Sequence, residues 1–197
     1  MDAAIAAGAD ALGFVFYAAS ARSLTAHQAA RLVRRVPPFV SSVGLFVNAA
    51  ATEIEAILAA VPLSILQFHG DETAADCARW QRPWIKAARV TSGLNLVQYA
   101  AEYSTAQALL LDSHVAAYGG AGQSFDWSLI PRQLALPIVL AGGLDADNVG
   151  AAIRQVRPAA VDVSSGVEQS KGIKDQRKLR AFIAAVRAAE SSGTEAA

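Results

Sequence analysis

Cysteine is nearly missing from this sequence. Cys77 stands alone, which excludes an intrachain disulfide and a multi-cysteine zinc site. An excess of either charge is missing too. Lys and Arg number 17, Asp and Glu number 17, and the net charge is zero. No basic surplus exists to draw in nucleic acid. Charged residues make up only 17% and mean hydropathy is +0.30, yet no run reads as a membrane span. The longest uncharged stretch, residues 36–52, contains Pro37, Pro38, Ser41, Ser42 and Asn48. The N-terminus lacks a basic segment followed by an apolar one, so no secretory leader is read. These absences argue against nucleic-acid and membrane partners and for a cytoplasmic protein. What is there is apolar: 53% of 197 residues are hydrophobic. That rules out disorder for most of the chain and suits one domain, expected over residues 1–190, with a small polar tail, 191–197, expected to be disordered.

Two kinds of segment alternate. Short apolar runs occur at 11–16, 40–47, 64–68, 84–90, 108–111, 137–141 and 160–164. Runs of this length, nearly apolar throughout, are what strands buried on both faces of a parallel sheet look like. Between them lie Ala-rich stretches with helical patterning. Thr25, Thr52 and Thr73 stand where N-caps are needed, for helices over 26–36, 53–60 and 74–80. Asp145 or Asp147 precedes a helix over 148–156, and a last helix covers about 175–190. The strand ends recur about every twenty to thirty residues, which predicts a (β/α) barrel rather than a short open sheet. A closed barrel of this type needs eight strands, and the sequence supplies seven, opening instead on a helix at 2–7. The expectation is therefore a TIM (β/α)8 barrel, N-terminally truncated and lacking its first strand. The unpaired sheet edges would favour aggregation or a homo-oligomer.

In such barrels the chemistry lies at the C-terminal strand ends. After the sixth apolar run comes Ala141-Gly142-Gly143-Leu144, and after the seventh Asp162-Val163-Ser164-Ser165-Gly166. Glycine turns let backbone N–H groups approach an anion, and serine hydroxyls add donors, so both read as a phosphate site. A plain tight turn at Gly142–Gly143 is the alternative. Asp112 ends an otherwise apolar strand. A partly desolvated carboxylic acid at a barrel mouth suits a general acid, and a turn cap is its alternative. The loop after it, YGGAGQ (118–123), is glycine-rich enough to fold over a ligand. Arg22, after the first run, is either a bidentate carboxylate clamp or a solvated surface arginine. Gln67 and His69 close the third run and are read as pocket lining. His27 and His114 have no metal-ligand spacing with His69. Cys77 lies in a helical stretch and reads as a packed thiol, while Lys86, inside a strand, is left without a role.

The strings GADALGFVFY (8–17), PPFVSSVGLFVN (37–48), LQFHGDE (66–72), LLLD (109–112), YGGAGQSFDWSL (118–129), LAGGLDADNV (140–149) and VDVSSGVEQSKGIKD (161–175) resemble phosphoribosylanthranilate isomerase. The resemblance covers nearly the whole chain. It implies an Amadori rearrangement of N-(5′-phosphoribosyl)anthranilate to 1-(2-carboxyphenylamino)-1-deoxyribulose 5-phosphate in tryptophan biosynthesis, with a phosphosugar substrate and no metal or organic cofactor. It implies that Asp112 is the general acid that opens the ribose ring. Arg22 would hold the anthranilate carboxylate, and Gly142, Gly143, Ser164, Ser165 and Gly166 the phosphate. The family's base is a cysteine in a Lys-(Ile/Val)-Cys-Gly motif on the first strand, which this sequence does not contain. Losing a general base costs about 10²–10⁴-fold, so little isomerase activity is expected of this chain by itself. A non-catalytic phosphosugar-binding or interaction remnant of the barrel is the alternative. Indole-glycerol-phosphate synthase would need lysines at strand ends, and ribulose-phosphate 3-epimerase several His and Asp ligands there. Neither pattern is present.

Overall fold

A computed structural model describes residues 1–113 and 124–194. Seven parallel strands pair strictly in chain order: β1 (Ala11–Val15), β2 (Ser41–Phe46), β3 (Ile65–Phe68), β4 (Trp84–Val90), β5 (Ala108–Ser113), β6 (Ile138–Leu140) and β7 (Ala160–Val161). The sheet is curled, as in the wall of a barrel, and β1 and β7 are its edges. The helices are α1 (Asp2–Ala7), α2 (Ala26–Val33), α3 (Ala51–Ala60), α4 (Ala74–Ala78), α5 (Leu96–Glu102), α6 (Val149–Val156) and α7 (Gln176–Thr194). A short antiparallel hairpin, β8 (Glu168–Ser170) and β9 (Ile173–Lys174), precedes α7. Among the described residues no helix is long and apolar enough to cross a membrane.

The central strands β4 and β5 are mostly apolar because both faces are covered, whereas the edge strands leave Ala11, Gly13 and Ala160 exposed. Leu109 and Leu111 of β5 join the large core shared with the helices, alongside Ala29, Ile54, Ile57, Cys77 and Phe182. Leu110, between them, turns the other way and packs with Ala87, Ala141, Ile85 and Val139. That smaller cluster fills the inside of the curl. On the helix side a file of rings crosses the strands. Phe16 stacks on Phe46 at 5.3 Å, followed by Phe68, Trp84 and Tyr103 at 6.1, 6.3 and 6.5 Å. Aromatic pairs at such separations add about 0.5–1.5 kcal/mol each beyond their burial.

Capping sets where the helices begin. Thr25 and Thr73 each accept the backbone N–H three residues on, and the Gln28 and Asp76 side chains answer them in reciprocal capping boxes. Other boundaries differ from the sequence reading. Helix α3 starts at Ala51 with Ala50 at the N-cap, so Thr52 lies inside the helix and caps nothing. Helices α2 and α4 stop earlier than expected, at Val33 and Ala78. Helix α5 was not anticipated; Asn95 caps it by accepting from the N–H groups of Val97 and Gln98. Strand β7 holds two residues, so residues 162–164 leave the sheet early. Helix α7 runs through Thr194, past the expected start of a disordered tail at 191.

Lys86 receives its role here. It lies on the helix side of β4, fully buried, and its Nζ donates to the Gly70 carbonyl (2.6 Å) and to Glu72 Oε2 (3.1 Å). Glu72 also accepts from the backbone N–H groups of Asn48 (2.7 Å) and Gly70 (2.9 Å). This cluster closes the loop after β3, next to His69.

Candidate active site

Side chains at the C-terminal strand ends converge on one rim. Asp112, next to last in β5, is opposite Arg89 of β4 in the strand register. Its Oδ1 accepts from the backbone N–H of Ser113 (2.8 Å), and its Oδ2 lies 3.2 Å from Nε2 of His69, which follows β3. The other ring nitrogen of His69 is 3.1 Å from the Gln67 amide nitrogen. With that amide donating, Nδ1 accepts and Nε2 carries the proton toward Asp112. Gln67, His69 and the Asp112 carboxylate thus form one chain of polar contacts along the rim.

Asp112 shares a small cavity with Ala141, Gly142, Gly143, Leu144, Asp162, Ser164 and Ser165. The residues singled out for acid chemistry and for phosphate are thus brought together. Gly142 and Gly143 adopt positive φ, 79° and 65°, a backbone that side chains resist. Gly166 is not in the lining; it follows Ser165 and packs against the Leu144 carbonyl oxygen, which any Cβ there would strike. The loop into α6 is closed on itself. Asp145 Oδ1 accepts from the N–H groups of Asp147 and Asn148, and Asn148 Nδ2 donates to the Gly143 carbonyl.

Arg22 forms the bidentate grip that is one of its two readings, here on a carboxylate of the chain itself. It is absent from the lining of that cavity, and its guanidinium is already gripped, Nε to Glu168 Oε1 and Nη2 to Glu168 Oε2, both 2.7 Å. A buried carboxylate at the start of β8 outcompetes solvent for it. Three residues escaped the sequence reading: Asp162, Glu168 and Lys174. Asp162 carries the signal by which Asp112 was found, a carboxylate closing an apolar run. The surrounding protein, and then the Asp112 carboxylate, push its carboxyl above the ordinary range, while His69 and Lys174 oppose. Its side chain opens to solvent through the cavity, so the first push is weaker than full enclosure would give. Glu168 is pulled the other way. Burial raises its carboxyl, but hydrogen bonds from Arg22 and the Gly172 N–H, with the Lys174 charge, bring it below the ordinary value. Lys174 Nζ donates to the Ser164 carbonyl (2.7 Å) and to Glu168 Oε1 (3.3 Å).

Cys77 is fully buried in α4, and burial pushes its thiol up to about 12, so it is no nucleophile or base. Among the described residues no cluster of His, Cys, Asp and Glu could hold a metal ion. The glycine-rich loop 118–123 lies outside the described residues.

Comparison with known proteins adds the chemistry's context. A family model described as N-(5′-phosphoribosyl)anthranilate isomerase matches residues 1–185. The N-(5′-phosphoribosyl)anthranilate isomerase of Dechloromonas aromatica is 57% identical over 192 residues, 98% of this chain and 92% of that protein. The crystal structure of phosphoribosyl anthranilate isomerase from Thermotoga maritima superposes with a TM-score of 0.86 at 40% identity, covering 94% of this chain and 92% of that one. A second isomerase structure, in complex with reduced 1-(o-carboxyphenylamino)-1-deoxyribulose 5-phosphate, gives 0.82 at 38% identity, covering 94% and 91%.

Proposed function

The chain belongs to the N-(5′-phosphoribosyl)anthranilate isomerase family, and from that premise we propose how its rim residues divide the work. The activity is that of an isomerase of tryptophan biosynthesis, converting N-(5′-phosphoribosyl)anthranilate to 1-(2-carboxyphenylamino)-1-deoxyribulose 5-phosphate.

Asp112 gives a proton to the ribose ring oxygen as the C1′–O bond breaks. The anilino nitrogen lone pair forms the C1′=N bond, leaving a cationic Schiff base. That cation acidifies the C2′ hydrogen, whose removal gives an enolamine, and tautomerisation gives the C2′ ketone. The carboxylate left on Asp112 is met by two N–H donors, the Ser113 backbone and His69 Nε2. Gly142 and Gly143, with Ser164, Ser165 and Gly166, take the phosphate, and Lys174 adds a positive charge beside that turn. Because Asp145 occupies the first N–H groups before α6, the phosphate is left to the glycine and serine turns themselves. Arg22 meets the substrate carboxylate with the edge of its guanidinium that Glu168 leaves open.

The proton-abstracting base is not among these residues. We assign it to an eighth strand lying in the gap between β7 and β1 and completing the barrel. Supplying such a strand, with the family's Lys-(Ile/Val)-Cys-Gly motif, is expected to raise turnover about 10²–10⁴-fold. A purely binding role has no observation in its favour.

One observation carries the reading: a strand-end carboxylic acid and the serine–glycine turn face a single cavity. The test is calorimetric titration with the reduced product analogue, together with turnover of the fluorescent substrate. Ser164→Ala with Ser165→Ala is expected to weaken the analogue about tenfold or more. Asp112→Asn is expected to leave that binding within a few-fold while lowering turnover about 10²–10⁴-fold. Wild-type turnover from Asp112→Asn would overturn the assignment of the acid.

A further inference from the structure

Glu168 lies outside the cavity, yet the two anion-binding parts of the site meet at it. It opens β8, its side chain is 5% exposed, and both carboxylate oxygens are taken. Oε1 receives Arg22 Nε (2.7 Å) and Lys174 Nζ (3.3 Å), and Oε2 receives Arg22 Nη2 (2.7 Å). Lys174 in turn donates to the Ser164 carbonyl at 2.7 Å. Lys178 Nζ holds the Glu168 carbonyl at 2.8 Å, so the backbone is fixed as well as the side chain. A continuous polar path therefore runs from Arg22 through Glu168 and Lys174 to the serine turn.

The grip on Arg22 is side-on, through Nε and Nη2. A guanidinium has five N–H donors in a rigid fork, so a side-on grip leaves the end-on edge, Nη1 with the outer N–H of Nη2, for a second carboxylate. Among the described residues nothing is hydrogen-bonded to that edge. An arginine held on one edge loses the rotamer freedom that a solvated arginine would lose on binding. Two cations also face one carboxylate here, which leaves positive charge for an incoming anion. Stability alone gives little reason for the cluster, because apolar residues of similar volume often replace buried ion pairs without loss. The Arg35–Asp2 pair, with both side chains more than half exposed, shows what a purely superficial bridge in this chain looks like.

We propose that Glu168 is a positioning residue that sets substrate specificity: it presents the end-on edge of Arg22 to an aromatic carboxylate and, through Lys174, fixes that edge relative to the phosphate turn. The inference rests on the reading that Arg22 takes the substrate carboxylate, and the experiment separates the two. The probes are the reduced product analogue and the same compound without its carboxyl group. The readout is the ratio of their dissociation constants. Glu168→Gln is expected to lower the preference for the carboxylated probe about tenfold while leaving the carboxyl-free probe within about twofold. Combined with Arg22→Ala, it should change the ratio no further than Arg22→Ala does alone. Equal weakening of both probes, or an unchanged ratio, overturns the proposal. Where Glu168→Gln does not fold, Glu168→Asp is measured instead. It keeps the charge but draws the fork back by a methylene, and a ratio lowered about threefold is expected. An unchanged ratio again overturns the proposal. If Arg22→Ala itself keeps the wild-type ratio, the carboxylate reading of Arg22 has failed. If Arg22→Ala abolishes the preference and Glu168→Gln does not, only the role of Glu168 has failed.

Discussion

Replacing Lys86 by Met removes a buried ammonium and keeps most of the side chain's volume. The side chain is fully enclosed and Glu72 is 7% exposed. Four interactions go together: the bonds to the Gly70 carbonyl at 2.6 Å, the Phe68 carbonyl at 3.5 Å and Glu72 at 3.1 Å, and the Nζ placement 5.5 Å over the Tyr103 ring. Breaking a buried ion pair by removing one partner costs about 3–5 kcal/mol. Glu72 is not stranded, since the Asn48 and Gly70 N–H groups still reach its two oxygens. That places the loss near the lower end, about 3 kcal/mol. Urea unfolding of Lys86→Met against wild type measures it, read as a shift in midpoint at constant slope. Adding Glu72→Gln tests the cause. The double variant should lose at least about 1 kcal/mol less than the sum of the single losses, because the uncompensated charge is gone. A Lys86→Met loss below about 1 kcal/mol, or strict additivity, would refute the assignment of Lys86 as the clasp of the loop beside His69.

The Asp162 carboxyl is pushed up in the folded state, by crowding and by Asp112. The folded form therefore favours the proton, and its contribution is full below the ordinary aspartate range and lost as pH rises through the raised value. Asp162→Asn should raise the melting temperature at neutral pH, with the gain shrinking to nothing in acid. Melting curves that shift equally at every pH would contradict this. At Gly166 a methyl group meets the Leu144 carbonyl oxygen, so Gly166→Ala should displace the serine turn and weaken phosphate binding, measurable by titration with inorganic phosphate, about tenfold or more. Unchanged phosphate affinity would show that the turn has no such role. The Cys77 thiol, fully buried and pushed up to about 12, should react with a disulfide reagent only as fast as the protein unfolds. Rapid labelling of the native protein would argue against that packing.

The strands were legible because cover on both faces of the sheet centre favours short, mostly apolar runs, as in Ala108–Leu111 and Trp84–Val90, the latter interrupted only by Lys86 and Arg89. Helix α5 was missed although the Asn95 cap and the helical spacing of Leu96, Ala100 and Tyr103 mark it, because seven residues are too few for a sustained period. The β8–β9 hairpin is short, mostly exposed and irregular in register, so it left no alternation to read. Within the site, Asp112 and the glycine and serine turns could be found because strand ends mark the rim. The partner of Arg22 could not, since Glu168 lies 146 residues away and only the fold brings it near. The same holds for His69, whose hydrogen bond toward Asp112 depends on β3 and β5 ending at one level.

Strictly neighbour-to-neighbour pairing has a consequence for how the chain is made. Ala11 pairs with Ser41, Val43 with Ile65, Leu66 with Trp84, and Ile85 with Ala108. Each of these partners is only a few tens of residues downstream, so every closure is entropically modest and none waits for the distant terminus. A nascent polypeptide leaving the ribosome can dock each new segment against the one just completed. The arc can therefore be laid down vectorially, like a staircase built step by step, with α7 packing over α1 and α6 as the last tread.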